Sequence, residues 1–73
     1  MDNFYRQLAE VLEVDAVEPS NVLRDYPQWD SLTVLSVISM IDTNYGVNLT
    51  ARDLINLNTA LTLHDKVLEK RGA

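Results

Sequence analysis

One segment most constrains how this chain can fold: fifteen largely apolar residues, Ser31 to Tyr45, with a residue on each side that can end a helix. Asp30 precedes the segment and is a good N-cap, because its carboxylate can accept hydrogen bonds from the free amides of a first helical turn. Gly46 follows it, and glycine readily adopts the left-handed conformation that ends a helix. The sequence therefore predicts a helix over residues 31–45 with one serine hydroxyl at its N-terminus.

A first helix is predicted from about Asp2 to Glu13, where Asp2 or Asn3 can cap the start and the apolar residues recur at helical spacing. The following stretch, residues 14–30, is long for a loop in so short a chain. Within it, a short helical turn is predicted over residues 21–25, and Pro27 prevents its continuation. The stretch is predicted to pack over a core because it carries six large apolar or aromatic residues: Val14, Val17, Val22, Leu23, Tyr26 and Trp29.

Two more helices are predicted in the last third of the chain. Thr50 followed by Asp53 is a variant capping box, which predicts a short helix ending near residue 56 or 57. Thr59 is predicted to cap a final helix, whose C-terminal basic residues suit the helix dipole. The predicted fold is all-α: a single domain, residues 1–73, forming a small four-helix bundle with a long packed loop between helices one and two.

The composition of the chain excludes or disfavours several kinds of site and partner. The chain has no cysteine and one histidine, so disulfide bonds and a structural zinc site are excluded. Its net charge of −5 argues against binding nucleic acid or an anionic membrane surface and favours a basic protein partner. No apolar run is long enough for a membrane span, and residues 1–6 lack the pattern of a signal peptide. A cytoplasmic protein is therefore expected.

The positions of several motifs resemble those of a known family. Trp29-Asp30-Ser31-Leu32 opens the second predicted helix, Tyr45-Gly46-Val47 closes it, and a short third helix and a Thr-capped fourth follow. The tripeptide at residues 30–32 alone is weak evidence. Its place within four helices of suitable length makes the chain similar to the acyl carrier proteins from about residue 4 to residue 70.

The resemblance implies a function as a carrier and not as an enzyme. It implies that Ser31 carries 4′-phosphopantetheine, attached by a separate phosphopantetheinyl transferase, and that the thiol of this arm holds acyl groups as thioesters. Asp30 matches the acidic residue that helps to hold the transferase's Mg²⁺, and Leu32 matches a residue that packs under the attachment site and contacts partners. The implied partners are the transferase, an acyl- or aminoacyl-loading ligase or synthase, and downstream transferases acting on a monomeric carrier. Fatty-acid, polyketide and dedicated specialised pathways remain open.

Two features depart from the family pattern. Trp29 stands where many carriers have a small residue, and it is interpreted as a loop anchor near the base of helix two. Helix two contains one acidic residue, Asp42, whereas fatty-acid carriers are usually rich in them there. Its core positions are expected to be Leu32, Leu35 and Ile38, with Tyr45. The apolar residues cover more than one face, so two interpretations stay open: helix two is buried broadly between its neighbours, or it presents an apolar partner surface at Leu32, Val34, Val37, Met40 and Ile41.

Other residues are weaker candidates for a functional site. Ser20 is interpreted as a turn cap, and Ser36 and Ser39 lie inside helix two, where a hydroxyl can bond the preceding turn. His64 would be needed for a hydrolase, but nothing in the sequence brings it near Ser31. The spacing of the carboxylates at positions 15, 18 and 25 does not match a calcium loop. The alternatives to an acyl carrier are an aminoacyl or peptidyl carrier and an unmodified helical interaction module.

Overall fold

The computed structural model describes residues 3–27 and 29–72, which form four α-helices and one short 3-10 helix. Within these two ranges there is no β-strand, so the predicted all-α fold of four helices is confirmed. The 3-10 helix, Leu23–Asp25, lies in the long connection and covers part of the turn predicted there. The α-helices are α1 (Phe4–Leu12), α2 (Ser31–Tyr45), α3 (Ala51–Ile55) and α4 (Ala60–Gly72).

One apolar core joins the four helices, and α2 contacts each of the other three. Burial of these side chains is the main favourable term for a chain that has no disulfide bond. The connections contribute to the core as well, through Val17, Leu23, Val47 and Leu49. The helices contribute Phe4, Leu8, Ala9 and Leu12 from α1, Val34, Val37 and Ile41 from α2, Leu54 from α3, and Ala60, Leu63 and Val67 from α4.

The long connection between α1 and α2 packs against the core, as the sequence predicts, and it also bonds to the start of α4. Its carbonyl groups at Pro19 and Asn21 accept hydrogen bonds from the amides of Leu61 and Ala60, at 2.9 and 3.0 Å. The first amides of a helix have no partner within the helix, so the connection satisfies two of these donors in α4. Because the same segment buries Leu23, it both completes the core and fixes the path of the chain toward α2.

The helix ends agree closely with the sequence predictions. The Thr50 hydroxyl accepts from the Asp53 amide at 3.1 Å while the Asp53 carboxylate accepts from the Thr50 amide at 3.0 Å, so the capping box is confirmed. The Thr59 hydroxyl accepts from the Thr62 amide at the start of α4. At α1, the Asn3 side chain makes no capping bond, and the alternative cap, Asp2, lies outside the described residues.

Two helices end on a residue in the left-handed region, which predicts opposite effects of substitution. Gly46 has a φ of 67° and Glu13 a φ of 58°. A side chain in this conformation costs about 1 kcal/mol or more. We expect Gly46→Ala to lower the free energy of unfolding by about 1 kcal/mol and Glu13→Gly to raise it by a similar amount. For a domain of this size, each change shifts the unfolding temperature by roughly 4–8 °C.

Thermal unfolding followed by circular dichroism measures both shifts, with Gly46→Asn as the control. Asparagine tolerates the left-handed region better than alanine, so the control should lose less stability than Gly46→Ala. Equal unfolding temperatures for Gly46→Ala and the unsubstituted protein would contradict a left-handed end to α2.

Candidate functional site

Ser31 is the first residue of α2, and its side chain is exposed. It is held there by its neighbour Asp30, which has extended backbone and caps the helix. The Asp30 carboxylate accepts a hydrogen bond from the Thr33 amide, and the Asp30 carbonyl accepts from the Val34 amide, both at 2.9 Å. The predicted N-cap is therefore confirmed, and it presents the Ser31 hydroxyl at the positive end of a four-turn helix.

The same capping interaction stabilises the negative charge of the Asp30 carboxylate beside Ser31. The hydrogen bond from the Thr33 amide lowers the pKa of Asp30 below its usual value, because it stabilises the ionised carboxylate. Asp30 is consequently negative at neutral pH. A carboxylate next to a serine hydroxyl suits metal-assisted chemistry at that hydroxyl, since oxygen ligands are those that Mg²⁺ prefers.

The capping carboxylates predict a loss of stability in acid. The pKa values of Asp30 and Asp53 are both lowered, chiefly by backbone amides of Thr33 and Thr50 respectively. The two ionised carboxylates add to the free energy of unfolding. This contribution is fully present above the pKa of the unfolded state, about 3.9, and is lost as the pH falls through the lower pKa of the folded state. We expect the unfolding temperature to change little between about pH 7 and pH 5 and to decrease below about pH 4. The double variant Asp30→Asn, Asp53→Asn should show a shallower acid decrease, and an unchanged profile would contradict these caps as its source.

Ser31 opens onto a groove of about 360 Å³ between the start of α2 and α3. Trp29 forms part of its wall and also packs against the core, so its interpretation as a loop anchor near the base of α2 is confirmed. Ala51 and Ile55, one turn apart on α3, lie on the opposite side. The remaining lining residues are Asp30, Val34 and Leu35. A group attached to Ser31 thus has a largely apolar wall beside its point of attachment.

The structure corrects the predicted orientation of α2. Val34, Val37 and Ile41 were expected on a partner surface, but they are buried in the core and cannot contact a partner. Conversely, Leu35 is 57% exposed, which contradicts its predicted place in the core. Leu32 is 74% exposed, which contradicts a place in the core and agrees with its other prediction, a surface position. The other three residues in these predictions, Ile38, Met40 and Tyr45, are half-buried and pack against the core.

The physical reason is that both sets of residues form a valid helical stripe. Positions 32, 35 and 38 are spaced by three, and positions 34, 37 and 41 by three and four, so each set covers one face of a helix. Contacts of α2 with the other three helices decide between them and bury the second set. The sequence reasoning also missed Ile55, whose only sequence signal is that an apolar residue one turn after Ala51 lies on the same face of α3.

The alternative sites of the sequence analysis do not assemble at Ser31. His64 stacks on the ring of Tyr5 at 5.3 Å and lies edge-on to Phe4, so the rings that it contacts belong to α1 and not to the groove. The Ser36 hydroxyl donates to the Leu32 carbonyl at 3.1 Å, as predicted for a serine inside a helix. Within residues 3–27 and 29–72, no three His, Cys, Asp or Glu side chains are grouped to hold a metal ion.

Comparison with known families identifies the class of the protein. The family model described as the phosphopantetheine attachment site matches residues 4–65, which include all of α1, α2 and α3. The chain belongs to this family. It is a carrier protein, and its family carries covalently attached 4′-phosphopantetheine. Comparisons with curated proteins and with solved structures gave no match.

The site of this carrier fits the group that the family bears. The carrier presents an exposed serine hydroxyl at a helix N-terminus, where an attached phosphodiester is favoured by the helix dipole. Carriers of the family interact with a phosphopantetheinyl transferase and with biosynthetic enzymes. In the part of the carrier that the structure describes, the helices are too short or too polar to cross a membrane.

Proposed function

We propose that this carrier is an acyl carrier protein in which Ser31 bears 4′-phosphopantetheine as a phosphodiester. The observation that carries the proposal is the exposed Ser31 side chain at the first position of α2, directly after an ionised N-cap and within the residues that match the family model. Asp30 favours an acyl carrier over an aminoacyl or peptidyl carrier, in which a non-acidic residue often precedes the serine.

In the attachment reaction this carrier supplies the nucleophile, the Ser31 hydroxyl, at a fixed position. Ser31 Oγ gives its proton to a base of the transferase and bonds to the phosphorus that bears pantetheine in coenzyme A. The anhydride bond at that phosphorus breaks, and adenosine 3′,5′-bisphosphate leaves. Asp30 helps to hold the transferase's Mg²⁺ next to this reaction, which requires the carboxylate to be ionised. Leu32 contacts the transferase beside the reacting hydroxyl.

After attachment the carrier positions its arm and catalyses nothing. The thiol of the arm supplies the thioester that holds the acyl group, and the reactions of that thioester belong to partner enzymes. The positive end of α2 stabilises the phosphodiester, while the nearby Asp30 opposes it by like charge. Asp30 therefore serves attachment more than it serves the loaded product. We place the carrier in the cytoplasm as a monomer that visits its enzymes in brief encounters.

Intact mass spectrometry tests the proposed function. The carrier is incubated with coenzyme A, Mg²⁺ and a broad-specificity phosphopantetheinyl transferase. One added phosphopantetheine is the expected result, and no adduct on a folded protein would contradict the proposal. The loaded carrier is then offered to acyl-transferring and to amino-acid-activating enzymes. Charging only by the second group would replace the acyl carrier with an aminoacyl carrier.

The single acidic residue of α2 supports a pathway with its own enzymes. General fatty-acid synthase enzymes that dock on acid-rich carriers should find few of the charges that they bind, since α2 contributes only Asp42. We expect these enzymes to transfer malonyl groups to the loaded carrier at less than about a tenth of the rate for a standard fatty-acid carrier. Equal rates for the two carriers would place this one in the general pathway.

A further inference from the structure

A second groove, of about 400 Å³, lies between α1 and the first residues of the connection that follows it. Its uncharged lining consists of Tyr5 and Ala9 from α1 and of Val14, Ala16 and Val17 from the connection. In the described part of the chain it shares no lining residue with the groove at Ser31, which is formed by α2, α3 and the residues just before α2. The two grooves can therefore be occupied at the same time.

The rim of this α1 groove is acidic. Glu10 and Asp15 line it with exposed side chains, and the exposed Glu13 and Glu18 flank it along the chain. The nine residues from the first of these four to the last contain no Lys or Arg, so this segment supplies −4 of the net charge of −5. Arg6 is the one basic residue in the described lining. A partner that enters the α1 groove thus meets an apolar floor inside a negative rim.

These acidic residues are placed against the stability of α1. The C-terminal end of a helix is the negative end of its dipole, so cations are favourable there and anions are unfavourable. The last turn of α1 has no basic residue, while Glu10 and the C-cap Glu13 put two carboxylates at this end. Within residues 3–27 and 29–72, neither carboxylate forms an ion pair with Lys or Arg. A local rule that is broken in this way is expected where a surface serves a function other than stability.

The geometry points to the α1 groove as a docking site for a basic, amphipathic segment of a partner protein, with a large apolar side chain in the groove and Lys or Arg beside it. Charge complementarity selects this occupant, because a basic segment pairs with Glu10 and Asp15 and is favoured by the negative end of α1. A second copy of the chain is disfavoured, since it also carries −5. The partner holds the carrier at α1 while Ser31 stays free for enzymes.

Titration with a synthetic peptide, followed by ¹⁵N–¹H NMR of the carrier, tests the docking site. The probe is an amphipathic helical peptide of about fifteen residues, with leucines along one face and lysines elsewhere. We expect saturable binding with a dissociation constant below about 1 mM and shift changes concentrated at residues 5–18. Two matched peptides, one with serines in place of the leucines and one with glutamates in place of the lysines, should show no saturable binding.

Charge variants of the carrier locate the binding. The double variant Glu10→Gln, Asp15→Asn should weaken binding of the leucine–lysine peptide about fivefold, because two surface ion pairs are lost. The matched control, Asp42→Asn with Glu69→Gln, removes the same two charges from exposed positions on α2 and α4 and should weaken binding less than about twofold. Circular dichroism should show no loss of stability in the first variant, since it removes an anion from the negative end of α1.

Several outcomes would overturn the docking site. The absence of saturable binding up to about 1 mM peptide would do so, as would equal weakening by the two double variants, because general attraction to a negative protein would then explain the binding. Saturable binding of the glutamate peptide would also contradict it. Sedimentation of the free carrier as a dimer that Glu10→Gln, Asp15→Asn dissociates would make a second copy the occupant.

Loading assays separate this inference from the proposed function. The Ser31→Ala variant should bind the leucine–lysine peptide with the dissociation constant of the unsubstituted carrier. A carrier saturated with this peptide should accept phosphopantetheine with an unchanged KM, since the two grooves have separate linings in the described residues. Competition between the peptide and the transferase would place the peptide near Ser31 and overturn docking at α1. Failure of the free carrier to load would contradict the proposed function alone.

Discussion

The Ser31→Ala variant should fold like the unsubstituted carrier and accept no phosphopantetheine. The Ser31 side chain is exposed, and the α2 cap is provided by Asp30 and not by the serine. Alanine is also a better helix former than serine, so the free energy of unfolding should stay within about 0.5 kcal/mol. Loading should fall below detection, because the variant lacks the oxygen that forms the bond to phosphorus. Circular dichroism measures the fold and stability of the variant, and intact mass spectrometry measures whether phosphopantetheine is attached.

Two other serines of α2, which do not lie at the start of the helix, provide the controls. Ser36 and Ser39 lie on the exposed side of the same helix, and Ser36 bonds to the Leu32 carbonyl. Ser36→Ala and Ser39→Ala should each load fully. Loading of Ser31→Ala would show that another hydroxyl is the attachment point, and loss of helicity in that variant would show that Ser31 has a structural role.

The Ile41→Ala variant should suffer the largest loss of stability among single changes in α2. Ile41 is fully buried, so the change removes three side-chain carbon atoms from the core and leaves a cavity. We expect the free energy of unfolding to fall by about 2–5 kcal/mol. A domain of this length is typically stable by roughly 4–11 kcal/mol in total, so the variant should be partly unfolded under mild conditions. Urea unfolding followed by circular dichroism measures the difference.

The matched control for this prediction is Leu35→Ala, on the same helix with a side chain of the same size. Leu35 is 57% exposed, so its truncation should change the free energy of unfolding by no more than about 0.5 kcal/mol. Both variants gain the helix propensity of alanine, and their difference therefore isolates burial. Similar losses in the two variants would contradict the orientation of α2 described above.

The local signals of the sequence predict the helices and their ends well. An N-cap carboxylate, a capping box and a glycine each act within a few residues, so Asp30, Thr50 with Asp53, and Gly46 could be interpreted without tertiary structure. The position of Ser31 at the start of α2 follows from the same local signal, because it depends on the cap beside it. The packed character of the long connection was also predictable, since its apolar residues would be costly to leave in water.

The rotation of α2 and the position of α3 could not be predicted in the same way. Apolar residues cover more than one face of α2, and period alone does not choose between the stripe that begins at Leu32 and the one that begins at Val34. The choice depends on the packing of three other helices. The five-residue helix α3 has too few residues to show a face by itself, so the approach of Ile55 to Ser31 emerges only from the fold.

Localisation of the added group on the loaded protein tests the central claim most directly. After loading, trypsin should release residues 25–52 as one peptide, since the chain has no Lys or Arg between Arg24 and Arg52. Fragmentation of this peptide distinguishes Ser31 from Ser36 and Ser39. We predict that the phosphopantetheine lies on Ser31. A group on another residue, or a folded carrier that no transferase loads, would contradict it.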